Sequence, residues 1–262
     1  MIKYIISAIF IYFFIGFLLF FFQRKILFNK SGLPLPPLNY GLKDIKILNL
    51  ITEDNVNLLA WYSKPKESKP ILIYFHGNSF DIGERSYRIK RYIDEGWGVL
   101  LVSWRGFSGN LGEPSEKNLY IDAKSALKWI KNNTNYLYKD IVIYGESLGT
   151  GVAVELSINQ EFRSVILEAP FTSIYDIAKK KYPFYPLKFL ILDKFDNYSK
   201  IHKIKSPIMI ISGKKDEVVP HHHSEILFSR ANQPKKCVFV DEAMHNNLYD
   251  FGIDKKVIEF SS

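Results

Sequence analysis

A serine between glycines, an aspartate and a late histidine occur in this chain in the order that nucleophilic acyl transfer requires. The serine lies in "GESLG", Gly145 to Gly149, after the apolar run "DIVIY" and before a helix-like stretch holding Val152, Val154 and Leu156. A chain that passes so abruptly from strand to helix is strained at the turn, and strain of this kind collects at functional sites. Gly145 and Gly149 let the backbone turn and pack, so Ser147 projects beside a helix N-terminus, where negative charge is favoured. A hydroxyl is a weak nucleophile until a base takes its proton, and that base needs an orienting carboxylate. In a strand-turn-helix setting the expected chain order is serine, acid, histidine. Asp216, in "SGKKDEVVP" after the run "PIMIIS", is assigned as the acid; its neighbour Glu217 reads as a solvated loop charge. His245, in "DEAMHNN" after "CVFV", is the one histidine beyond the His221–His223 cluster and is assigned as the base.

Acyl transfer also needs two backbone N–H groups aimed where the oxyanion develops, and losing one such donor typically costs about 3–4 kcal/mol. The residue after the nucleophile, Leu148, supplies one. The loop "YFHGNSFDIG" supplies the other, assigned to Asn78 with Ser79 as the alternative, while His76 reads as a residue that braces the loop. His221, His222 and His223 are consecutive, share no helix face and have no spaced acidic or cysteine partner, so no metal site is expected. No cofactor is expected either.

The elements that must position these residues are legible as apolar runs. "IKILNL", "VNLLAWY", "ILIYF", "GVLLVSW", "DIVIYG", "SVILEA", "PIMIISG" and "CVFV" read as strands, and amphipathic stretches such as Ser115 to Lys131 lie between most of the later ones. Continuous apolar strands alternating with helices imply a mostly parallel sheet covered on both faces. The first two runs lack an intervening helix and read as an antiparallel hairpin. The interval from Pro170 to Ser206 is long for a crossover and carries "YPFYPLKFL", so residues 170–206 read as a small lid; Phe184 and Phe189 are expected to line the entrance beside Ser147 and to contact substrate or a bilayer surface. Cys237, the single cysteine, lies in "KCVFV" and is expected as a small core residue.

Tyr4 to Phe22, "YIISAIFIYFFIGFLLFFF", carries no charge, and at helical rise it extends about 28 Å, close to the ~30 Å of bilayer hydrocarbon. A cleaved signal peptide has a shorter apolar region, and no small-x-small site follows Phe22. Residues 1–25 are therefore expected as a transmembrane anchor, 26–42 as a Pro- and Gly-rich extended linker, and 43–262 as the catalytic domain. Lys3 precedes the apolar run whereas Arg24, Lys25 and Lys30 follow it, which places the C-terminal body in the cytoplasm. The formal net charge of +8 comes from scattered lysines, with no basic stripe interleaved with aromatics, so no nucleic-acid partner is expected.

Taken together, "HGN", "SWRGFSGNLGEPSE", "GESLGTG", "EAPFTS", "GKKDEVVP" and "AMH" resemble the α/β-hydrolase superfamily, and within it the membrane-anchored alpha/beta-hydrolase domain-containing proteins. The resemblance runs from about Lys43 to the C-terminus. It implies an α/β-hydrolase fold with an eight-stranded sheet and a Ser147, Asp216, His245 triad, in agreement with the reading of the residues. It also makes Trp104 and Arg105 braces of a loop near the site entrance. Resemblance and apolar segment together imply a serine hydrolase that cleaves an ester or thioester through an acyl-enzyme, with a small-molecule or lipid acyl-ester substrate and the membrane, through the N-terminal helix, as its partners. Two alternatives are a serine peptidase of the same superfamily and a non-catalytic membrane interaction protein.

Overall fold

The computed structural model describes residues 1–262. Eight strands form one sheet: β1 (Lys46–Ile51), β2 (Asn57–Ser63), β3 (Ile71–Phe75), β4 (Gly98–Val102), β5 (Ile141–Glu146), β6 (Ser164–Glu168), β7 (Ile208–Gly213) and β8 (Lys235–Val240). Their spatial order is β1-β2-β4-β3-β5-β6-β7-β8. β1 pairs antiparallel with β2 and β2 antiparallel with β4, whereas every later pairing is parallel. The helices are α1 (Ile2–Leu27), α2 (Ser86–Asp94), α3 (Glu116–Asn133), α4 (Leu148–Ser157), α5 (Ile174–Lys181), α6 (Leu187–Leu190), α7 (His222–Arg230) and α8 (Ile253–Ser261).

The run of apolar residues in β3 to β7 is explained by burial on both faces. Ile71, Ile73 and Phe75 point into one core with α3 and α4, and Leu72 and Tyr74 point into the other with α2 and α8. α3 shows how a crossover is specified. Ser115 caps it by accepting from the Asn118 N–H at 3.2 Å, and Leu119, Ala123, Ala126 and Ile130 recur on its buried face.

Two segments differ from expectation. Residues 26–42 do not lead away from the body: Phe28 is buried against Phe195 (ring centroids 6.5 Å apart), the Ser31 carbonyl accepts from the Gly109 N–H at 3.2 Å, and Leu42 is buried in the core beneath α2. The apolar residues among the prolines gain more by packing than an extended tether would leave them. Cys237 is exposed rather than in the core, because β8 is the edge strand and its face is incompletely covered.

α1 carries an uncharged apolar stretch between Lys3 and Arg24, with mean hydropathy 2.7 over its most apolar 18 residues, and none of its residues is buried in the protein. It is long and apolar enough to cross a membrane. Its last turns face α5 and α6 across a shared apolar cavity, and Gln23 donates to the Leu190 carbonyl at 3.1 Å.

Candidate active site

The parallel strands deliver three side chains to one end of the sheet. β5 ends at Glu146, the chain turns at Ser147 and α4 begins at Leu148. Ser147 has φ 50° and ψ −114°, a positive-φ conformation that costs on the order of 1–3 kcal/mol for a residue with a side chain. The turn is this tight because α4 sits directly on β3: a Cβ at Gly149 would meet the Phe75 carbonyl oxygen at 2.1 Å. The Ser147 N–H donates to the Glu168 carbonyl at 2.8 Å, and its own carbonyl accepts from Thr150 Oγ1 at 2.6 Å, which fixes the strained residue from both sides.

Asp216 lies just past β7 and His245 past β8. The Nδ1–H of His245 donates to Asp216 Oδ2 at 2.7 Å, and its Nε2 accepts from Ser147 Oγ at 3.1 Å. Asp216 Oδ1 accepts from the N–H groups of Val218 and Val219 at 2.9 and 2.8 Å, so the carboxylate is held in one orientation. Its side chain is fully buried while the imidazole is 13 % exposed, open enough for a substrate to reach it. The neighbouring Glu217 stands in solvent and joins none of these contacts.

The loop after β3 runs against the nucleophile: a Cβ at Gly77 would lie 3.4 Å from Ser147 Cβ. Asn78 follows, and it is tied to the end of α1. Its Nδ2 donates to the Leu27 carbonyl at 3.2 Å, and its carbonyl accepts from the Asn29 N–H at 3.0 Å. Leu148, at the first position of α4, has an N–H without a helical acceptor. The carbonyl of Ser79, the alternative donor, accepts from Arg85 Nη1 at 2.8 Å. His76 donates from Nδ1 to the Gly77 carbonyl at 2.8 Å, and its own carbonyl accepts from Trp104 Nε1 at 3.1 Å. Burial, with a smaller contribution from Arg85, pulls its pKa down to about 3, so it is neutral. Arg105 binds Asp54 and Asp122, each at 2.7 Å. His221 and His223 are drawn off to separate partners, Ser212 and Thr172, both at 2.8 Å.

Phe184 and Phe189 are each 83 % exposed and do not line the adjoining cavity, whereas the neighbouring Tyr182, Tyr185, Leu187 and Leu190 face it. Those residues, with Ile174 and Ile177, border an apolar cavity of about 250 Å³ whose lining also includes Asn78 and the last turns of α1.

A buried ionic cluster beneath the turn is absent from the reading of the sequence. Glu146 accepts from Arg85 at 2.9 Å and from the Tyr74 hydroxyl at 2.9 Å; Glu168 accepts from Arg88 at 2.9 Å and from the Tyr144 hydroxyl. Burial alone pushes the Glu146 carboxyl up, but Arg85 and Arg88 outweigh it and hold it well below the usual carboxylate range. Burial raises Glu168, and Arg88 opposes this only in part. The signal for this cluster is a glutamate closing an otherwise apolar strand, as in "IVIYGE" and "SVILE".

A sequence profile described as the prolyl oligopeptidase family matches residues 105–245. An uncharacterized protein of Mycobacterium tuberculosis is 33 % identical over 230 residues, covering 86 % of this chain and 81 % of that protein. Alpha/beta hydrolase domain-containing protein 17B of Homo sapiens is 35 % identical over 195 residues, 71 % of this chain and 63 % of the relative. Among solved structures, an esterase of Pyrococcus furiosus superposes with a TM-score of 0.72 at 22 % identity, over 88 % of this chain and 96 % of the esterase; that likeness is one of fold. Sheet order, strand-turn-helix geometry and these matches agree: the chain belongs to the α/β-hydrolase superfamily, in the part of it described by the prolyl oligopeptidase family.

Proposed function

We propose that the protein is a membrane-anchored serine hydrolase that cleaves carboxylic ester or thioester bonds of acyl substrates through an acyl-enzyme. The observation that carries this reading is the continuous relay from Ser147 Oγ through His245 to Asp216, at 3.1 and 2.7 Å, on a strained turn at the end of β5. Ser147 Oγ attacks the acyl carbon while its proton passes to His245 Nε2, and Asp216 stabilises the imidazolium. The N–H groups of Asn78 and Leu148 receive the oxyanion. Collapse expels the alcohol or thiol, which takes the proton from His245. Water then attacks the acyl-serine with His245 again as base, releasing the carboxylic acid and restoring Ser147. α1 holds the enzyme at the bilayer, and the basic residues after it favour a cytoplasmic body.

The test is labelling with a fluorophosphonate probe together with hydrolysis of an ester panel by wild type and Ser147→Ala. Labelling and turnover are expected in wild type and neither in the variant. Equal hydrolysis by both proteins sinks the reading and favours a non-catalytic membrane protein. The profile match favours a second reading, a serine peptidase. Against it, the lid interval consists of only two short helices, whereas peptidases of this superfamily commonly carry a large cap or propeller. Cleavage of aminoacyl amides in preference to esters would decide for the peptidase.

A further inference from the structure

We infer that α1 is part of the substrate site, its last turns forming one wall of a receptacle for a fatty acyl chain whose inner end is the loop at Asn78. This rests on the hydrolase reading. The cavity of about 250 Å³ has Leu19, Phe20 and Leu27 of α1 on one side and Ile174, Ile177 and Leu190 of the lid on the other. Asn78 closes it toward Ser147, since the preceding Gly77 packs against the serine. The walls hold few polar groups. Asp193, the acidic one, is consumed by Arg24 at 2.7 Å and by the Glu116 N–H at 2.8 Å. A peptide would leave its amides unpaired here, whereas an alkyl chain leaves nothing unpaired.

α1 is fastened to the lid rather than resting on it. Gln23 donates from Nε2 to the Leu190 carbonyl at 3.1 Å and accepts at Oε1 from the Leu192 N–H at 2.9 Å, so one side chain satisfies two backbone groups of the lid. Three turns nearer the N-terminus, Tyr12 stacks on Tyr185 with centroids 4.8 Å apart and donates to the Phe184 carbonyl at 2.7 Å. The helix that meets the bilayer is therefore continuous with the wall of the cavity, and through Leu27 and Asn29 with the oxyanion loop itself. The cavity thus lies between the helix that meets the bilayer and the loop whose Gly77 packs against Ser147.

The test uses the full-length protein in detergent micelles with p-nitrophenyl butyrate and dodecanoate. Burying a methylene is worth about fourfold in binding, so filling space for two of them should cut the dodecanoate-to-butyrate ratio of kcat/KM by at least about tenfold. Leu19→Trp and Leu190→Trp, which fill the cavity from opposite walls, are expected to lower that ratio, and Leu19→Ala to shift preference toward longer chains. Phe10→Trp, on the same helix but clear of the cavity, should leave the ratio unchanged. An unchanged ratio in all three cavity variants overturns the inference. A readout independent of hydrolysis is photolabelling of Ser147→Ala by a diazirine-bearing dodecanoic acid: labelled peptides should include Leu19 to Leu27, and labelling confined to other surfaces overturns the inference even where esters are cleaved. Absence of turnover in wild type with labelling of α1 would instead leave the cavity standing and remove the hydrolase reading.

Discussion

Arg88 holds Glu168 by two contacts from one nitrogen, at 2.9 and 3.1 Å, and its second terminal nitrogen donates to the carbonyl of Asn246 at 3.3 Å, the residue immediately after His245. The guanidinium thus connects the strand whose backbone pins Ser147 to the loop that carries the imidazole. Both partners are buried, with side-chain exposures of 4 % and 0 %. Removing one member of such a pair leaves an uncompensated charge and costs about 3–5 kcal/mol. Arg88→Leu should lose stability on that scale in chemical denaturation. Arg88→Lys should retain more of it but cannot span both partners with a planar fork, so turnover should fall more than stability. Equal stability for wild type and Arg88→Leu would show that the cluster does not carry the fold.

Asp216 and Glu217 separate cleanly by environment. Asp216 accepts two backbone N–H bonds and the His245 proton, whereas Glu217 is in solvent. Asp216→Asn preserves shape but removes the acceptor that selects the tautomer, and in a relay of this type the loss in kcat is on the order of 10⁴. Glu217→Gln should change kcat less than about twofold, within the usual range for a solvated surface charge. Steady-state hydrolysis of a short ester checks both, and a larger loss from Glu217→Gln would transfer the acid's role.

The strands, the turn at Ser147 and the meeting of Ser147, Asp216 and His245 were legible because each rests on local rules: apolar runs, small residues at a tight turn, and residues placed just beyond parallel strands. What was not legible depends on packing between distant segments. Arg85, Arg88, Glu146 and Glu168 look like ordinary charges until the sheet brings them together under the turn. Composition singles out Phe184 and Phe189, yet which aromatics of "YPFYPLKFL" turn inward depends on how residues 170–206 sit on α1. Nor does a proline-rich stretch reveal that Phe28 and Leu42 will find places in the core.

Two histidines are kept neutral by burial, and this makes the fold sensitive to acid. His76 is pulled from 6.5 to about 3 and His223 to about 4, burial being the main cause at each. Their folded pKa values lie below the unfolded one, so the unfolded chain binds protons first: stability is intact above pH 6.5 and is lost progressively between pH 6.5 and the folded values, where the loss levels off. Each such group costs up to about 1.4 kcal/mol per pH unit below that point. His223→Gln keeps a partner for Thr172 and should reduce the slope of unfolding free energy between pH 6.5 and 4 by most of one group's share. A slope identical to wild type would mean that His223 already titrates freely in the folded protein.

None of the residues of α1 is buried within the protein, but Phe28, one residue beyond it, is 2 % exposed and packs on Phe195, while Arg24 is paired with the buried Asp193. Phe28 and the Arg24–Asp193 pair thus tie the end of α1 to the body, whereas the apolar run before them touches only the 170–206 interval, through the stacking of Tyr12 on Tyr185 and the wall at Leu19 and Phe20. Deleting Met1 to Phe22 removes the stacking of Tyr12 on Tyr185 and part of one cavity wall but no buried residue, and should leave a soluble, folded body that hydrolyses short esters. Deleting Met1 to Phe28 removes in addition a core aromatic, whose truncation to alanine alone typically costs about 3–5 kcal/mol, together with the acceptor at Leu27 and the pairing of Asp193. The longer deletion should lower the midpoint of urea unfolding and impair turnover beyond what the stability loss explains, because Asn78 loses its brace. Insoluble protein from the shorter deletion would show that the apolar helix is needed for folding; indistinguishable midpoints for the two deletions would show that Phe28 is not part of the core that supports the site.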